Sequence, residues 1–152
     1  MFDTVLGLPV HVLVVHAVVV GLPLMAVVTA AVALKPGLRQ RFAWPVVVLD
    51  AGVVVATFVA RESGEVLQRR LGGSVAQEHG ALGRNLVWFA VLVLVAAVAV
   101  ALTRQPRRPT RATAAAALSV VAGVLAIWWT VRVGHTGAVA VWQGIVQSTA
   151  TP

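Results

Sequence analysis

Residues 10–34 read VHVLVVHAVVVGLPLMAVVTAAVAL, an apolar run without a single Asp, Glu, Lys or Arg. A bilayer core of about 30 Å needs roughly 20 mainly apolar residues in an α-helix, so this run predicts a membrane span. The segment before it has no basic region, and the run is too long for a secretory signal peptide. We therefore expect it to remain in the mature protein as the first span.

The rest of the chain has the same character. Of its 152 residues, 59% are hydrophobic and 11% are charged, whereas ordinary soluble domains have about 25% charged residues. Further apolar stretches cover about 42–61, 82–102 and 112–133, and residues 62–71 predict an amphipathic extension of the second span. The sequence thus predicts an all-α fold, a single membrane domain over residues 1–152 that forms an up-and-down four-helix bundle. No internal duplication of span pairs is evident.

The charges predict how the spans are oriented. The chain has 12 basic and 5 acidic residues, and in a membrane protein such an excess indicates cytoplasmic loops rather than nucleic-acid binding. The loops after the first and third spans are basic without any acid, whereas the connection between the second and third spans mixes both signs. We therefore expect a multi-pass plasma-membrane protein with both termini extracytoplasmic and the lipid bilayer as its surroundings. The five tryptophans are interpreted as interfacial anchors, namely Trp44, Trp88, Trp128, Trp129 and Trp142.

Composition and missing motifs exclude several kinds of chemistry. The absence of cysteine excludes disulfides, thiolate zinc sites, iron–sulfur ligation and cysteine nucleophiles. The sequence has no phosphate-binding glycine motif, no HExxH and no recognisable nucleophile elbow. An electron-transfer or accessory protein is therefore favoured over an enzyme acting by itself.

Four histidines carry the functional prediction, and all four fall at the predicted outer ends of spans: His11, His16, His79 and His135. An imidazole in or near hydrocarbon is costly unless it has a partner, so such histidines are functional candidates. His11 and His16 are five residues apart and point about 140° away from each other, so they cannot share one ligand face. We favour the deeper His16, although a one-residue shift in where the helix begins would rotate both.

Haem b is the cofactor that this arrangement suggests. Glycines beside the other two histidines leave room for a flat ligand, Gly80 and Gly83 near His79 and Gly134 and Gly137 near His135. Axial histidines from two helices of a four-helix bundle can hold haem, here His16 with either His79 or His135. Arg84 and Arg132 are candidates to bind the propionates. The competing hypothesis is a zinc or copper site of three or four histidines helped by Glu78.

Asp50 is the second unusual residue, an acid within the second span. Thr57 and Arg61 lie within about 20° of its direction on an ideal helix, so the three form one polar seam. The seam is either a proton route toward the histidines or, through Asp50, an interhelical hydrogen bond that fixes the bundle. Arg61 with Glu62 and Glu65 is interpreted as a solvated, salt-bridged helix extension.

Several short motifs together resemble the domain of unknown function 2231 family of bacterial membrane proteins. They are Leu8-Pro9-Val10-His11, Val14-Val15-His16 with Pro23, Asp50, Ser63-Gly64-Glu65, His79, and Arg132-Val133-Gly134-His135-Thr136-Gly137-Ala138 with Val141-Trp142. The resemblance covers essentially the whole chain and implies four spans in a bacterial plasma membrane, with no settled activity. Relatives that join a similar membrane part to a Rieske-type iron–sulfur domain imply a redox role. This chain lacks that domain, so a separate partner is expected.

Three hypotheses follow. The first is a small b-type membrane cytochrome that binds haem near the extracytoplasmic face and exchanges electrons with a redox partner or a larger membrane complex. The second is a haem-free accessory or structural subunit, in which the histidines and Asp50 satisfy one another. The third is a proton-coupled or metal-handling membrane protein. Assembly as a homo-oligomer is open in each case.

Overall fold

The computed structural model describes residues 4–5, 7–70, 76–105 and 109–149. Four helices account for most of them: Val10–Leu34 (α1), Pro36–Arg70 (α2), Gln77–Leu102 (α3) and Pro109–Thr149 (α4). Two short strands, Thr4–Val5 (β1) and Leu8–Pro9 (β2), pair antiparallel just before α1. Each of the four helices contains a stretch that is long and apolar enough to cross a membrane.

The helix bounds agree with the sequence prediction for α1 and extend beyond it for the others. α2 begins at Pro36 rather than near residue 42 and continues to Arg70, so the predicted amphipathic extension belongs to the same helix. α3 begins at Gln77 rather than near residue 82, and α4 continues to Thr149 rather than ending near residue 133. Hydropathy marks where a helix leaves the hydrocarbon, whereas backbone hydrogen bonds can continue beyond that boundary. Residue 71, the predicted end of the extension, lies outside the described residues.

The helices form the predicted up-and-down bundle. Each consecutive pair packs together, α1 also packs against α4, and α1 meets α3 across the centre. The two ends of the bundle differ in their residues. We call the end where α1 and α3 begin the histidine end, and the end where α2 and α4 begin the basic end.

Small residues bring α1 and α4 close together. Ala115, Ser119 and Gly123 recur along the inner face of α4, where Ala115 and Ser119 are buried. A Cβ at Gly123 would lie 3.4 Å from the carbonyl oxygen of Ala26 in α1, so glycine permits this backbone contact. Because lipid tails are as apolar as leucine, such close van der Waals packing is a main source of helix association in membranes.

Candidate functional site

His11 lies near the start of α1 and joins it to α2. Its Nδ1 is 2.9 Å from the carbonyl oxygen of Ala60. A carbonyl can only accept a hydrogen bond, so Nδ1 is the protonated nitrogen, and in the neutral ring Nε2 carries the free lone pair.

His79 joins α3 to α4 in the way that His11 joins α1 to α2. It lies near the start of α3, and its Nδ1 donates to the carbonyl oxygen of Val133 at 3.0 Å. Nε2 is again the nitrogen left with a lone pair when the ring is neutral. The bundle therefore presents two imidazoles in the same tautomer, one from each odd-numbered helix.

A glycine accommodates each imidazole. A Cβ at Gly64 would lie 2.9 Å from Cε1 of His11, and a Cβ at Gly137 would lie 2.9 Å from Cε1 of His79. Both separations are well inside van der Waals contact, so each ring fits against the next helix only because the side chain there is hydrogen.

The residue before each glycine completes a repeated arrangement. The Ser63 hydroxyl donates to the carbonyl of Val59 at 2.7 Å and also lies 3.1 Å from the carbonyl of Ala60, the same oxygen that His11 binds. Thr136 donates to the carbonyl of Val133 at 3.0 Å, the same oxygen that His79 binds. The pairs α1–α2 and α3–α4 thus carry the same histidine–glycine unit. The repetition is one of local contacts, and no duplication of the span pairs is evident in the sequence.

The two histidines lie side by side at the centre of the histidine end. Their ring centroids are 6.4 Å apart and their planes are inclined by 75°. In the part of the chain that the structure describes, neither Nε2 has a hydrogen-bond partner. α1 and α3 therefore bring two nitrogen donors close together.

A cavity of about 120 Å³ borders the pair. It extends from His11 and His79 down to Val18, Thr57 and Leu86, between α1, α2 and α3. It is somewhat smaller than the apolar cavity of roughly 150 Å³ that is known to hold a benzene molecule. Its polar margin includes Arg61, Glu65 and Arg84, from the facing sides of α2 and α3.

Of the two arginines that were predicted to bind the propionates, one lies at the cavity and the other does not. Arg84 borders the cavity as expected, and so does Arg61. Arg61 makes the predicted ion pairs, 3.5 Å to Glu65 and 3.8 Å to Glu62. Arg132 instead stands on the exposed face of α4, with its guanidinium 5.5 Å from the ring of Trp128. It does not line the cavity.

The structure does not bring His16 and His135 to the pair. His16 is exposed on the outer face of α1, where its Nδ1 donates to the carbonyl of Val12 at 2.6 Å. His135 is exposed on α4. His16 was preferred for its depth, but the rotation of α1 turns His11 toward the bundle centre instead. Among the described residues, no three histidine or acidic side chains converge as a metal cluster, so the predicted grouping with Glu78 does not form there.

The polar seam of α2 separates into two parts. Thr57 and Arg61 line the cavity. Asp50 lies deeper in the bundle, 2% exposed, and accepts a hydrogen bond of 2.8 Å from Thr29 of α1, itself 1% exposed. Asp50 therefore makes the interhelical bond that was one of its two predicted roles, and the proton route stays a prediction.

Sequence reasoning missed the roles of two kinds of residue. Gly64 enters the sequence analysis only within the Ser63-Gly64-Glu65 motif, yet the His11 ring packs against it. The Ser/Thr-Gly dipeptide that α2 and α4 share is the available signal. Trp129 faces the bundle, whereas the other four tryptophans are exposed. Its Nε1–H donates to the carbonyl of Leu82 at 3.0 Å, and its ring stacks on Phe89 at 4.8 Å.

Comparison with known proteins identifies the family. Residues 7–150 match the family described as "Predicted membrane protein (DUF2231)", and the chain belongs to it. No curated protein and no solved structure is detectably similar to the chain.

Proposed function

We propose that this DUF2231 protein is a small b-type cytochrome, in which His11 and His79 hold haem b and the protein passes electrons to or from a partner. The observation that carries the proposal is the pair of anchored imidazoles, 6.4 Å apart between centroids. Haem supplies one-electron chemistry when it is bound. The residues of the chain would bind it, orient it and keep water away from it.

The spacing of the rings suits two ligands of one metal ion. A histidine nitrogen lies about 2.0–2.1 Å from a bound metal, so two imidazoles on opposite sides of an ion have centroids about 6–6.5 Å apart. Metal-binding histidines almost always donate their other ring nitrogen to a carboxylate, a carbonyl or water. His11 and His79 already make that second bond, to Ala60 and Val133.

The donor set fits haem, whereas the cavity as it stands encloses only part of a porphyrin. A porphyrin would fit only if α2 and α3 moved apart at the histidine end. The residues of α3 there would permit such a movement. Gly83 has no atom within 4 Å of the Cβ position, and Gly80 faces the flexible side chain of Gln68. Arg61 and Arg84 border the same seam and would bind the propionates.

The distribution of charged residues supports one orientation of the protein in the membrane. The basic end carries the loops that the positive-inside rule assigns to the cytoplasm. We therefore place the histidine end and both termini on the extracytoplasmic side of a bacterial plasma membrane, where the redox partner would bind.

A haem-free accessory subunit is the second candidate, and one observation favours it. Each histidine already hydrogen-bonds the next helix and fills the space above a glycine. Such units join α1 to α2 and α3 to α4 without any ligand. In that case the histidines act in the assembly of the bundle alone.

A visible spectrum separates the two candidates. The full chain would be purified in mild detergent, its helical fold checked by circular dichroism, and its dithionite-reduced minus oxidised spectrum recorded before and after adding haemin. We expect a sharp b-type α-band. A flat spectrum from folded protein after added haemin would refute the cytochrome and favour the accessory subunit.

A further inference from the structure

Arg39 is buried at the basic end, far from the histidines. It lies on α2, one turn before Ala43, whose side chain is buried in the core of the bundle. The relative exposure of Arg39 is 9%. Within the described residues, its Nε is fully buried and has no hydrogen-bond partner. A guanidinium is always charged in proteins, and a buried N–H donor without an acceptor is costly.

Among the residues that the structure describes, no carboxylate pairs with Arg39. The chain has five acidic residues: Asp3, Asp50, Glu62, Glu65 and Glu78. Asp50 is about 16 Å further along α2 and is bonded to Thr29. The glutamates belong to the histidine end, and Asp3 lies outside the described residues. The residues at 106–108 are Pro-Arg-Arg and add no acid. The described part of the chain therefore offers Arg39 no counter-charge, and an anion from outside the chain could supply one.

The surroundings of Arg39 also attract anions. Among the described residues, the basic end carries Lys35, Arg39, Arg41, Arg104 and Arg111. α2 and α4 both begin there, at Pro36 and Pro109, so the positive ends of two helix dipoles face the same region. Positive charge, helix N-termini and a buried guanidinium N–H without a partner together suit one chemical group, a phosphate.

We propose that the basic end binds a phosphate-bearing anion through Arg39. An acidic phospholipid of the adjacent leaflet and free phosphate are the two sources of that chemistry. The guanidinium presents paired N–H donors that match phosphate oxygens. The site lies at the opposite end of the bundle from His11 and His79 and is independent of haem binding.

Thermal denaturation of the delipidated full chain in zwitterionic detergent tests the site. Wild type, Arg39→Gln and Arg41→Gln would each be titrated with phosphatidylglycerol, phosphatidylcholine or inorganic phosphate. Arg41 is the matched control, because it is exposed, lies over the ring of Phe42 and carries the same charge. We expect phosphatidylglycerol to raise the Tm of wild type and of the Arg41 variant, and to bind the Arg39 variant about tenfold more weakly.

The outcomes distinguish the sources. Stabilisation by phosphatidylglycerol alone identifies a lipid headgroup, and stabilisation by inorganic phosphate as well identifies the anion itself. If phosphatidylglycerol stabilised the Arg39 and Arg41 variants equally, the proposed site would be wrong. The same would hold if phosphatidylcholine stabilised wild type as much as phosphatidylglycerol does. If Arg39→Gln does not fold, Arg39→Met is the second variant, since it keeps an apolar stem. We expect it to be at least as stable as wild type without anion and to lose the response to phosphatidylglycerol. Lower stability with the response retained would overturn the proposal.

Discussion

His11 and His79 are equivalent residues in the two halves of the bundle, with their rings 6.4 Å apart. Each lies near the start of its helix, donates Nδ1–H to a carbonyl of the following helix, and lies against a glycine there. The bundle is thus pseudo-symmetric at this end, and the pair lies where its two halves meet. A ligand bound between the rings would receive the same kind of donor from both sides.

The first prediction concerns which histidines bind haem. His11→Ala and His79→Ala should each abolish the reduced-minus-oxidised α-band, since either substitution would remove one of the two histidine nitrogens proposed to hold haem. His16→Ala and His135→Ala are the controls, and they should retain the band because both side chains are exposed away from the pair. Loss of the band in a control variant but not in His11→Ala would contradict the assignment.

The second prediction concerns the glycines beside the rings. Gly64→Ala and Gly137→Ala should destabilise the protein by about 1–3 kcal/mol, because the new methyl displaces an imidazole. Gly52→Ala and Gly134→Ala are matched controls in the same two helices, and nothing lies within 4 Å of either Cβ position. They should be neutral or stabilise the helix by about 0.5–1 kcal/mol. The free energy of unfolding of each variant would be measured in mixed micelles. Equal effects at all four positions would contradict the close contacts.

Much of the fold follows from hydropathy alone. The apolar run at 10–34 marks α1 from Val10 to Leu34, because both of its boundaries are polar or contain a helix breaker. The alternation of spans and loops also brings His11 and His79 to one end of the bundle, whatever the packing. These features depend only on the length of each helix and the direction of the chain.

The identity of the paired histidines did not follow from the sequence. Spacing along a helix gives depth, at about 1.5 Å per residue, and relative angle, at about 100° per residue. It does not give the rotation of the helix about its own axis, which interhelical packing sets. That rotation directs His11 inward and His16 outward. It also places Trp129 inside the bundle and leaves Arg132 outside.

The third prediction concerns the buried bond between Thr29 and Asp50. Thr29→Val should cost about 1–3 kcal/mol of stability, because it removes the donor and leaves a buried carboxyl oxygen without that partner. Asp50→Asn keeps an acceptor oxygen and should cost less. Thr113→Val is the control, because its hydroxyl is exposed and bonds its own helix at 3.3 Å. If Thr29→Val unfolds like this control, the bond does not hold α1 to α2.

The fourth prediction concerns the rotation of α4. Trp128 is 51% exposed, whereas the adjacent Trp129 bonds Leu82 and stacks on Phe89. In single-tryptophan variants, brominated lipid should quench Trp128 strongly and Trp129 weakly. Trp129→Phe should cost about 0.5–1.5 kcal/mol through the lost hydrogen bond, and Trp128→Phe should change stability by less. Equal quenching of Trp128 and Trp129 would mean that α4 is rotated about its own axis relative to this structure. Because Val133 lies one turn beyond Trp129 and binds His79, that result would also remove the basis for pairing His79 with His11.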